Sequence, residues 1–275
     1  MPLFAKAKDR FLKGEIDLLT APIKALLKSG VPASLSVADT LADIPAGERV
    51  KIEDLVNSQL VPGLDPEELW WTADDVNFTS VTGSVVTQII LYVQGPSEAL
   101  SPLIWARNAA FTPNGNNILA VWGSNIFSHV CKGGNDWYFQ GKLDLFQAKT
   151  DFSANDIHTV LVDSTYTLDL INHVELRDIP ISTRVGDVSG YSLAGKLVGI
   201  ADGLQGGVFD ADDVIIPALT GNDIVAVALI KFLSATPEDS PLIGYITEGL
   251  NFPLTPDGSL TGVVWSDAEG RIIKL

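Results

Sequence analysis

Two pairs of adjacent carboxylates are the residues of this 275-residue chain whose type and spacing come closest to a reactive site. Asp74 and Asp75 form one pair, and Asp212 and Asp213 form the other, with Asp210 close by. Clustered carboxylates bind hard cations such as Ca²⁺, and paired carboxylates hydrolyse glycosides. The spacing lacks the alternating ligands of an EF-hand, and adjacent exposed aspartates lack the burial that raises one pKa for acid catalysis. We interpret both pairs as solvated turns, and whether they bind a cation stays open.

The histidines and the single cysteine form no recognisable catalytic or metal-binding pattern. His129 and Cys131 are close in sequence, but they lack the two further ligands of a closed zinc site. His158 aligns with Lys24 in an internal repeat, which predicts an exposed position, and His173 has no second histidine at a ligand spacing. The chain also lacks a phosphate-binding glycine loop and a Gly-x-Ser-x-Gly turn. We therefore predict a protein that is not an enzyme and that uses no metal or other cofactor.

Aromatic side chains are the remaining candidates for a site, and we predict that they contact other proteins. Trp70 and Trp71 are adjacent in a predicted strand, where consecutive side chains point to opposite faces, so one of the two rings can be exposed. An exposed ring suits either a protein interface or stacking on a sugar, and core packing is the alternative for each ring. The candidate contact residues are Trp70, Trp71, Trp105, Trp137 and Tyr138.

The elements that must position these residues occur twice in the chain. Leu-Ala-Asp-Ile-Pro at residues 41–45 returns as Leu-Arg-Asp-Ile-Pro at residues 176–180, and Ser-Pro-Leu-Ile at residues 101–104 returns at residues 240–243. Other anchors recur in the same order: Arg49-Val50 with Arg184-Val185, Asp74-Asp75-Val76 with Asp212-Asp213-Val214, and Trp122 with Trp265. A period of about 140 residues is the length of a domain and not of a solenoid unit. We therefore predict two tandem domains, residues 1–133 and residues 134–275.

Each copy is predicted to be mainly β, with a short helix only at the N-terminus. Apolar residues at helical spacing predict a helix over residues 2–13, whereas residues 141–150 of the second copy lack that pattern. Strands predicted at residues 75–78 and 85–93 flank a Thr-Gly turn, which favours their pairing as a hairpin, and the second copy repeats this arrangement. About six or seven strands per copy at short intervals favour an antiparallel β-sandwich or open barrel.

The composition limits the partners of the chain. A formal net charge of −16 disfavours nucleic acid and anionic membranes, because each phosphate contact needs a cation. The chain has no apolar run of membrane-spanning length and begins without a secretion signal, so we expect synthesis in a cytoplasm. One cysteine excludes an internal disulfide.

The order of the repeated motifs resembles a family of structural proteins from the virions of tailed bacteriophages. The motifs that carry the resemblance are Lys-x-x-Phe-Leu-x-Gly-x-Ile-Asp-Leu at residues 8–18, Leu-x-Asp-Ile-Pro, Asp-Asp-Val, Ser-Pro-Leu-Ile, and Pro-Asn/Asp-Gly followed by a tryptophan. Members of that family are usually single domains, so this chain looks like a tandem fusion of two such domains. The resemblance covers nearly the whole length of the chain.

The resemblance implies a non-enzymatic virion component, made in the host cytoplasm. We expect a capsid cement or decoration protein that stabilises the head by binding the major capsid protein or other virion proteins at subunit junctions. A homo-oligomer, as a trimer at local threefold positions, is the form that this class implies. Two alternatives stay open: a structural component of the neck or tail, and a carbohydrate-binding surface module that uses the tryptophans without a counterpart in the repeat.

Overall fold

The computed structural model describes residues 3–63, 68–123, 125–129, 135–200, 207–247, 252–259, 261–265 and 272–274. The helices are α1 (Ala5–Leu12) and α2 (Phe139–Phe146). The strands of the first half are β1 (Ile23–Ser29), β2 (Arg49–Asp54), β3 (Gln59–Pro62), β4 (Leu69–Thr72), β5 (Val76–Phe78), β6 (Val86–Val93), β7 (Leu103–Phe111), β8 (Ile118–Ala120) and β9 (Phe127–His129). The strands of the second half are β10 (Asn135–Trp137), β11 (Ile157–Asp163), β12 (Arg184–Val185), β13 (Tyr191–Ser192), β14 (Leu197–Ile200), β15 (Gly207–Asp210), β16 (Val214–Ile216), β17 (Ile224–Lys231), β18 (Leu242–Ile246), β19 (Thr261–Val263) and β20 (Ile273–Lys274). Short 3₁₀ turns lie at Leu41–Asp43, Ala46–Glu48, Glu98–Leu100, Leu176–Asp178, Ile181–Thr183 and Pro237–Asp239.

The fold is mainly β, as predicted, and the two halves have the same antiparallel strand order. The large sheet of the first half runs β2-β1-β6-β7, and that of the second runs β12-β11-β17-β18, with β10 added beside β18 and β13 beside β11. Two smaller sheets repeat in the same way, β3-β4-β9 with β14-β15-β20, and β5-β8 with β16-β19. None of the sheets built from the described residues closes into a barrel, which agrees with a sandwich.

The predicted hairpin across the Thr-Gly turn is wrong. β5 pairs with β8, whereas β6 lies between β1 and β7. Most of β6 is buried, as is typical of a central strand with a neighbour on each side. Ser80 and Gly83, both with positive φ, turn the chain from the small sheet to the large one. The second half repeats this, with β16 on β19 and β17 between β11 and β18.

The helix at the start of the second half is a second correction, since none was expected there. α1 and α2 are equivalent: Leu18 N–H donates to Phe146 O at 2.9 Å, and Phe152 N–H donates to Leu12 O at 2.9 Å. After α1 the chain turns at Gly14, where φ is +62°. After α2 the same left-handed turn is made by Ala148, with φ of +52°, so the glycine that marks a helix end is missing from the sequence.

Each helix packs on both halves. α1 lies against β7 of its own half and against β14 and β15 of the other, and α2 lies against β18 of its own half and β4 of the other. The Phe11 and Phe146 rings meet edge to face, with centroids 5.0 Å apart. One hydrophobic cluster therefore contains residues of both halves. The predicted domain division falls among residues 130–134, outside the described residues, and stays a prediction.

No helix among the described residues is long and apolar enough to cross a membrane.

Candidate functional site

Four of the five candidate contact residues lie in the interior. Trp71 and Tyr138 are fully buried, and Trp105 and Trp137 are almost so, which is the core packing that we gave as the alternative for each ring. Trp70 is half-buried on β4, opposite Val61 of β3, and is the one candidate whose ring reaches solvent. The large apolar side chains that are exposed among the described residues are all aliphatic.

A size exchange across paired backbones explains why some of these aromatics lack counterparts in the repeat. Leu3 lies opposite Trp105 in the first half, and Trp137 lies opposite Gly244 in the second. The adjoining hydrogen bonds, Phe4 N–H to Ile104 O and Tyr138 N–H to Ile243 O, show that these pairs are equivalent. The large ring comes from one strand in the first half and from the other strand in the second, and it packs on Trp122 in the first half and on Phe152 in the second.

The acidic pairs hold turns. Asp75 Oδ1 accepts a hydrogen bond from Trp122 N–H at 3.0 Å, and in the equivalent position Asp213 Oδ1 accepts one from Trp265 N–H at 2.8 Å. Asp74 accepts a hydrogen bond of 2.6 Å from Asn57. These contacts tie the turn before β5 or β16 to the residues that follow β8 or β19.

Asp210, Asp212 and Asp213 line an open polar cleft of about 300 Å³. Within the described part of the chain, no group of three or more His, Cys, Asp or Glu residues has a geometry that could hold a metal ion.

His158 is buried, with 8 % of its surface exposed, so the predicted exposed position is wrong. Its ring stacks on Phe232 with centroids 3.9 Å apart. Its Nδ1 lies 3.0 Å from Ser189 O, and its Nε2 lies 3.2 Å from Asp156 Oδ2. Burial raises the pKa of Asp156, but a hydrogen bond from Ser192 and the charge of His158 outweigh it and leave that pKa below its ordinary value. The Cys131 residue and the His129 side chain lie outside the described structure.

The repeated Leu-x-Asp-Ile-Pro motif is held by an arginine in each half, the buried Arg184 in the second and the partly buried Arg49 in the first. In the second half, Arg184 donates to the carbonyl oxygens of Leu176 at 2.7 Å and Ile179 at 2.8 Å. It also donates two hydrogen bonds of 2.8 Å to Glu238, which precedes Ser-Pro-Leu-Ile. The hydrogen bond from Arg184 keeps the pKa of Glu238 below its ordinary value.

Arg49 makes the same set of contacts in the first half. It donates to the carbonyls of Leu41 and Ile44 and to the carboxylate of Glu98, and its hydrogen bond lowers the pKa of Glu98. Three motifs that are far apart in sequence therefore meet around one guanidinium group in each copy.

The aspartate of the same motif caps the N-terminus of the short 3₁₀ turn in which it lies. Asp43 Oδ2 accepts hydrogen bonds from Asp39 N–H at 2.8 Å and Thr40 N–H at 2.9 Å, and these bonds lower its pKa. Asp178 accepts the equivalent bonds from Val174 and Glu175. The aspartates of the repeated Leu-x-Asp-Ile-Pro motif are thus engaged in holding backbone.

An apolar groove in the first half is our candidate site. It has a volume of about 430 Å³ and lies between the loop after β1 and the Leu-x-Asp-Ile-Pro turn. Val31 and Val37, at 81 % and 78 % exposed, are the two most exposed large apolar side chains of the described chain, and both line it. Its other lining residues are Lys28, Pro32, Ala33, Ser34, Ala38, Asp43, Ile44, Pro45 and Glu48.

The equivalent region of the second half is filled by its own side chains. Tyr166, from the loop after β11, belongs to a buried cluster with Tyr138 and Tyr245. The Tyr138 and Tyr166 hydroxyls are 3.1 Å apart, and the Tyr166 hydroxyl lies 2.7 Å from His173 Nδ1. Burial raises the pKa of Tyr166 to about 12 and that of Tyr138 well above its ordinary value. Both hydroxyls are therefore neutral hydrogen-bonding groups at neutral pH.

The chain matches no protein-family model and has no significant similarity to a curated protein. We therefore infer function from the residues and their geometry.

Proposed function

We propose that the chain is a non-enzymatic structural protein of a tailed-phage virion, and that it is a cement or decoration protein bound to the major capsid protein at subunit junctions. The observation that carries the proposal is the use of the repeated side chains. Arg49 and Asp43 in the first half, and Arg184 and Asp178 in the second, use their side chains to hold backbone groups. Motifs that fix the backbone in the same way in both halves suit a protein whose function is to present surfaces to its partners.

The charge and the interlocked halves also support adhesion. Two halves joined through one hydrophobic cluster present two related surfaces, and many weak contacts repeated by the symmetry of a head add up to firm attachment. The net charge of −16 repels packaged DNA and favours a neutral or basic protein partner. A homo-oligomer at local threefold positions is part of the proposal.

Copy number per particle tests this assignment. Purified virions whose genome encodes the chain would be analysed by mass spectrometry with isotope-labelled peptides as standards. Hundreds of copies per particle are expected for a cement protein. A dozen copies or fewer would instead place the chain in the neck or tail, and its absence from virions would reject a structural role.

The carbohydrate-binding alternative depends on exposed aromatic rings. The burial of Trp71, Trp105 and Trp137 leaves it with Trp70 alone, so we do not propose it.

A further inference from the structure

We infer that the first-half groove between Val31 and Val37 binds an aromatic side chain, of the size and polarity of tyrosine, that a neutral or basic partner protein inserts. The inference deepens the proposed function, on which it rests for the nature of the partner, because it assigns one contact point on the surface of the chain.

The equivalent site in the second half shows what chemistry fits. On the floor of the groove, Lys28 lies directly opposite Gln88 in the β1–β6 pairing. Val162 and Ala226 are the opposite pair in the equivalent register of β11 and β17, and both pairs directly precede a register shift. Above Val162 and Ala226 the chain places its own Tyr166 in a buried cluster. The loop of the first half supplies no aromatic residue, and its valines point into solvent.

The segment that carries Val31 is held by hydrogen bonds from side chains of the large sheet. Lys28 Nζ donates to the carbonyls of Ser29 and Val31, Thr87 Oγ1 donates to Gly30 O at 2.7 Å, and Gln88 Oε1 accepts from Ala33 N–H at 2.9 Å. Side chains of β1 and β6 therefore hold the backbone of residues 29–33, the segment that contains Val31. A preformed apolar groove loses little conformational entropy on binding, which favours affinity.

Lys28 and Asp43, two charged residues of the groove, already have hydrogen-bond partners. The ammonium group of Lys28 uses its three hydrogens on two carbonyls and on Glu48, and the Asp43 carboxylate accepts two backbone N–H groups. The floor therefore offers no unpaired charge to a ligand, and an apolar ring is the complementary occupant. The Ser34 hydroxyl lies 3.0 Å from the Ser36 hydroxyl and has hydrogen-bonding capacity left for the phenol oxygen, a role that His173 has for Tyr166 in the second half.

The charges of the groove indicate which residues flank the aromatic residue in the partner protein. The groove is lined by two carboxylates, Asp43 and Glu48, and one ammonium group, Lys28, in a chain with a net charge of −16. A partner segment with lysine or arginine beside the aromatic residue is attracted, whereas a segment with carboxylates beside it is repelled.

The test uses the full-length ¹⁵N-labelled protein and three synthetic probes: p-cresol, which is the tyrosine side chain alone, and the capped tripeptides Lys-Tyr-Lys and Glu-Tyr-Glu. We expect each probe to shift the amide resonances of Val31, Ala33 and Val37 in saturable titrations. We also expect Lys-Tyr-Lys to bind at least five-fold more tightly than Glu-Tyr-Glu at low salt. The Val31→Asp/Val37→Asp variant should bind at least ten-fold more weakly. Val121→Asp, at another exposed valine, should bind as the wild type does.

An absence of saturable shifts at the groove, or equal binding by the double variant, would overturn the inference. So would a groove-dependent self-association seen by sedimentation, because the occupant would then be a second copy. Incorporation of the double variant into virions is measured separately. Normal incorporation together with no probe binding would remove the groove inference and leave the virion role standing.

Discussion

Arg184 donates two hydrogen bonds of 2.8 Å to the carboxylate of Glu238, and together they close over the carbonyl oxygens of Leu176 and Ile179. The guanidinium is almost fully buried, whereas the carboxylate is close to half exposed. The arginine therefore satisfies backbone acceptors that water does not reach, and the glutamate chiefly orients it.

This asymmetry predicts unequal effects of removing the two partners. Arg184→Ala leaves buried carbonyls and a carboxylate without a donor, and we expect it to lower the free energy of unfolding by about 3 kcal/mol. Glu238→Ala removes a half-exposed carboxylate and should cost about 1 kcal/mol or less. Urea titration followed by tryptophan fluorescence measures both. Similar losses for the two variants would contradict the assignment of the arginine as the buried anchor.

The same pair predicts a dependence on pH. Because the hydrogen bond from Arg184 lowers the pKa of Glu238 in the folded state, the pair contributes fully above the ordinary glutamate pKa of 4.5. The contribution is lost as the pH falls through the lowered folded value. The stability difference between the wild type and Glu238→Ala should therefore shrink in acid.

Close packing between the halves makes a second prediction. A Cβ atom on Gly207 of β15 would lie 2.8 Å from the Lys8 carbonyl carbon and 2.9 Å from the Asp9 nitrogen, both in the backbone of α1. We expect Gly207→Ala to cost about 1–3 kcal/mol, since the helix must move. Gly199→Ala on the neighbouring β14 is the matched control, because a Cβ there meets nothing within 4 Å. Equal thermal unfolding temperatures for the two variants would show that α1 does not pack on β15 in this way.

A third prediction concerns Asp144 of α2, a buried carboxylate whose pKa is raised by burial. A hydrogen bond of 2.7 Å from Gln140 and the charges of Lys149 and Lys231 offset only part of that effect. Asp144→Asn keeps an acceptor for Gln140 and removes the buried charge, so we expect it to stabilise the fold at pH 7 by up to about 1 kcal/mol.

The stability contribution of Asp144 depends on pH in the opposite direction to that of Glu238, because the pKa of Asp144 is raised and that of Glu238 is lowered. A raised folded pKa means that the aspartate destabilises the fold above that pKa and has no effect below the ordinary value of 3.8, where both states are protonated. The advantage of Asp144→Asn should therefore disappear in denaturation measured near pH 3. An advantage that persists at pH 3, or a destabilised variant at pH 7, would disprove the account.

The mainly β fold and the N-terminal helix are predictable because they depend on local patterns. The helix after Tyr138 is missed because Ala148 takes a conformation that the sequence usually signals with glycine. The burial of Trp105 is missed because it depends on the size of its neighbour Leu3 across a distant pairing, which periodicity along the chain does not report.

The groove could have been found from the sequence by one signal. A tyrosine-containing loop in one copy, residues 164–175, corresponds to a loop in the other, residues 30–40, that has valines and no aromatic residue. Exchange of an aromatic residue for aliphatic ones between repeats indicates a core position that has become empty. The sequence does not show whether the valines of this loop stay exposed, because the hydrogen bonds from Lys28 and Gln88 that hold the loop are seen only in the structure.

The central claim is that this chain adheres to the outside of a phage head, and electron cryo-microscopy of intact virions tests it most directly. Particles from wild-type phage would be compared with particles that lack the gene for this chain. We predict a difference density on the outer capsid surface at the junctions between coat subunits, with the shape of the two interlocked halves. Identical heads in the two maps, or a difference confined to the neck, the tail or the capsid interior, would contradict it.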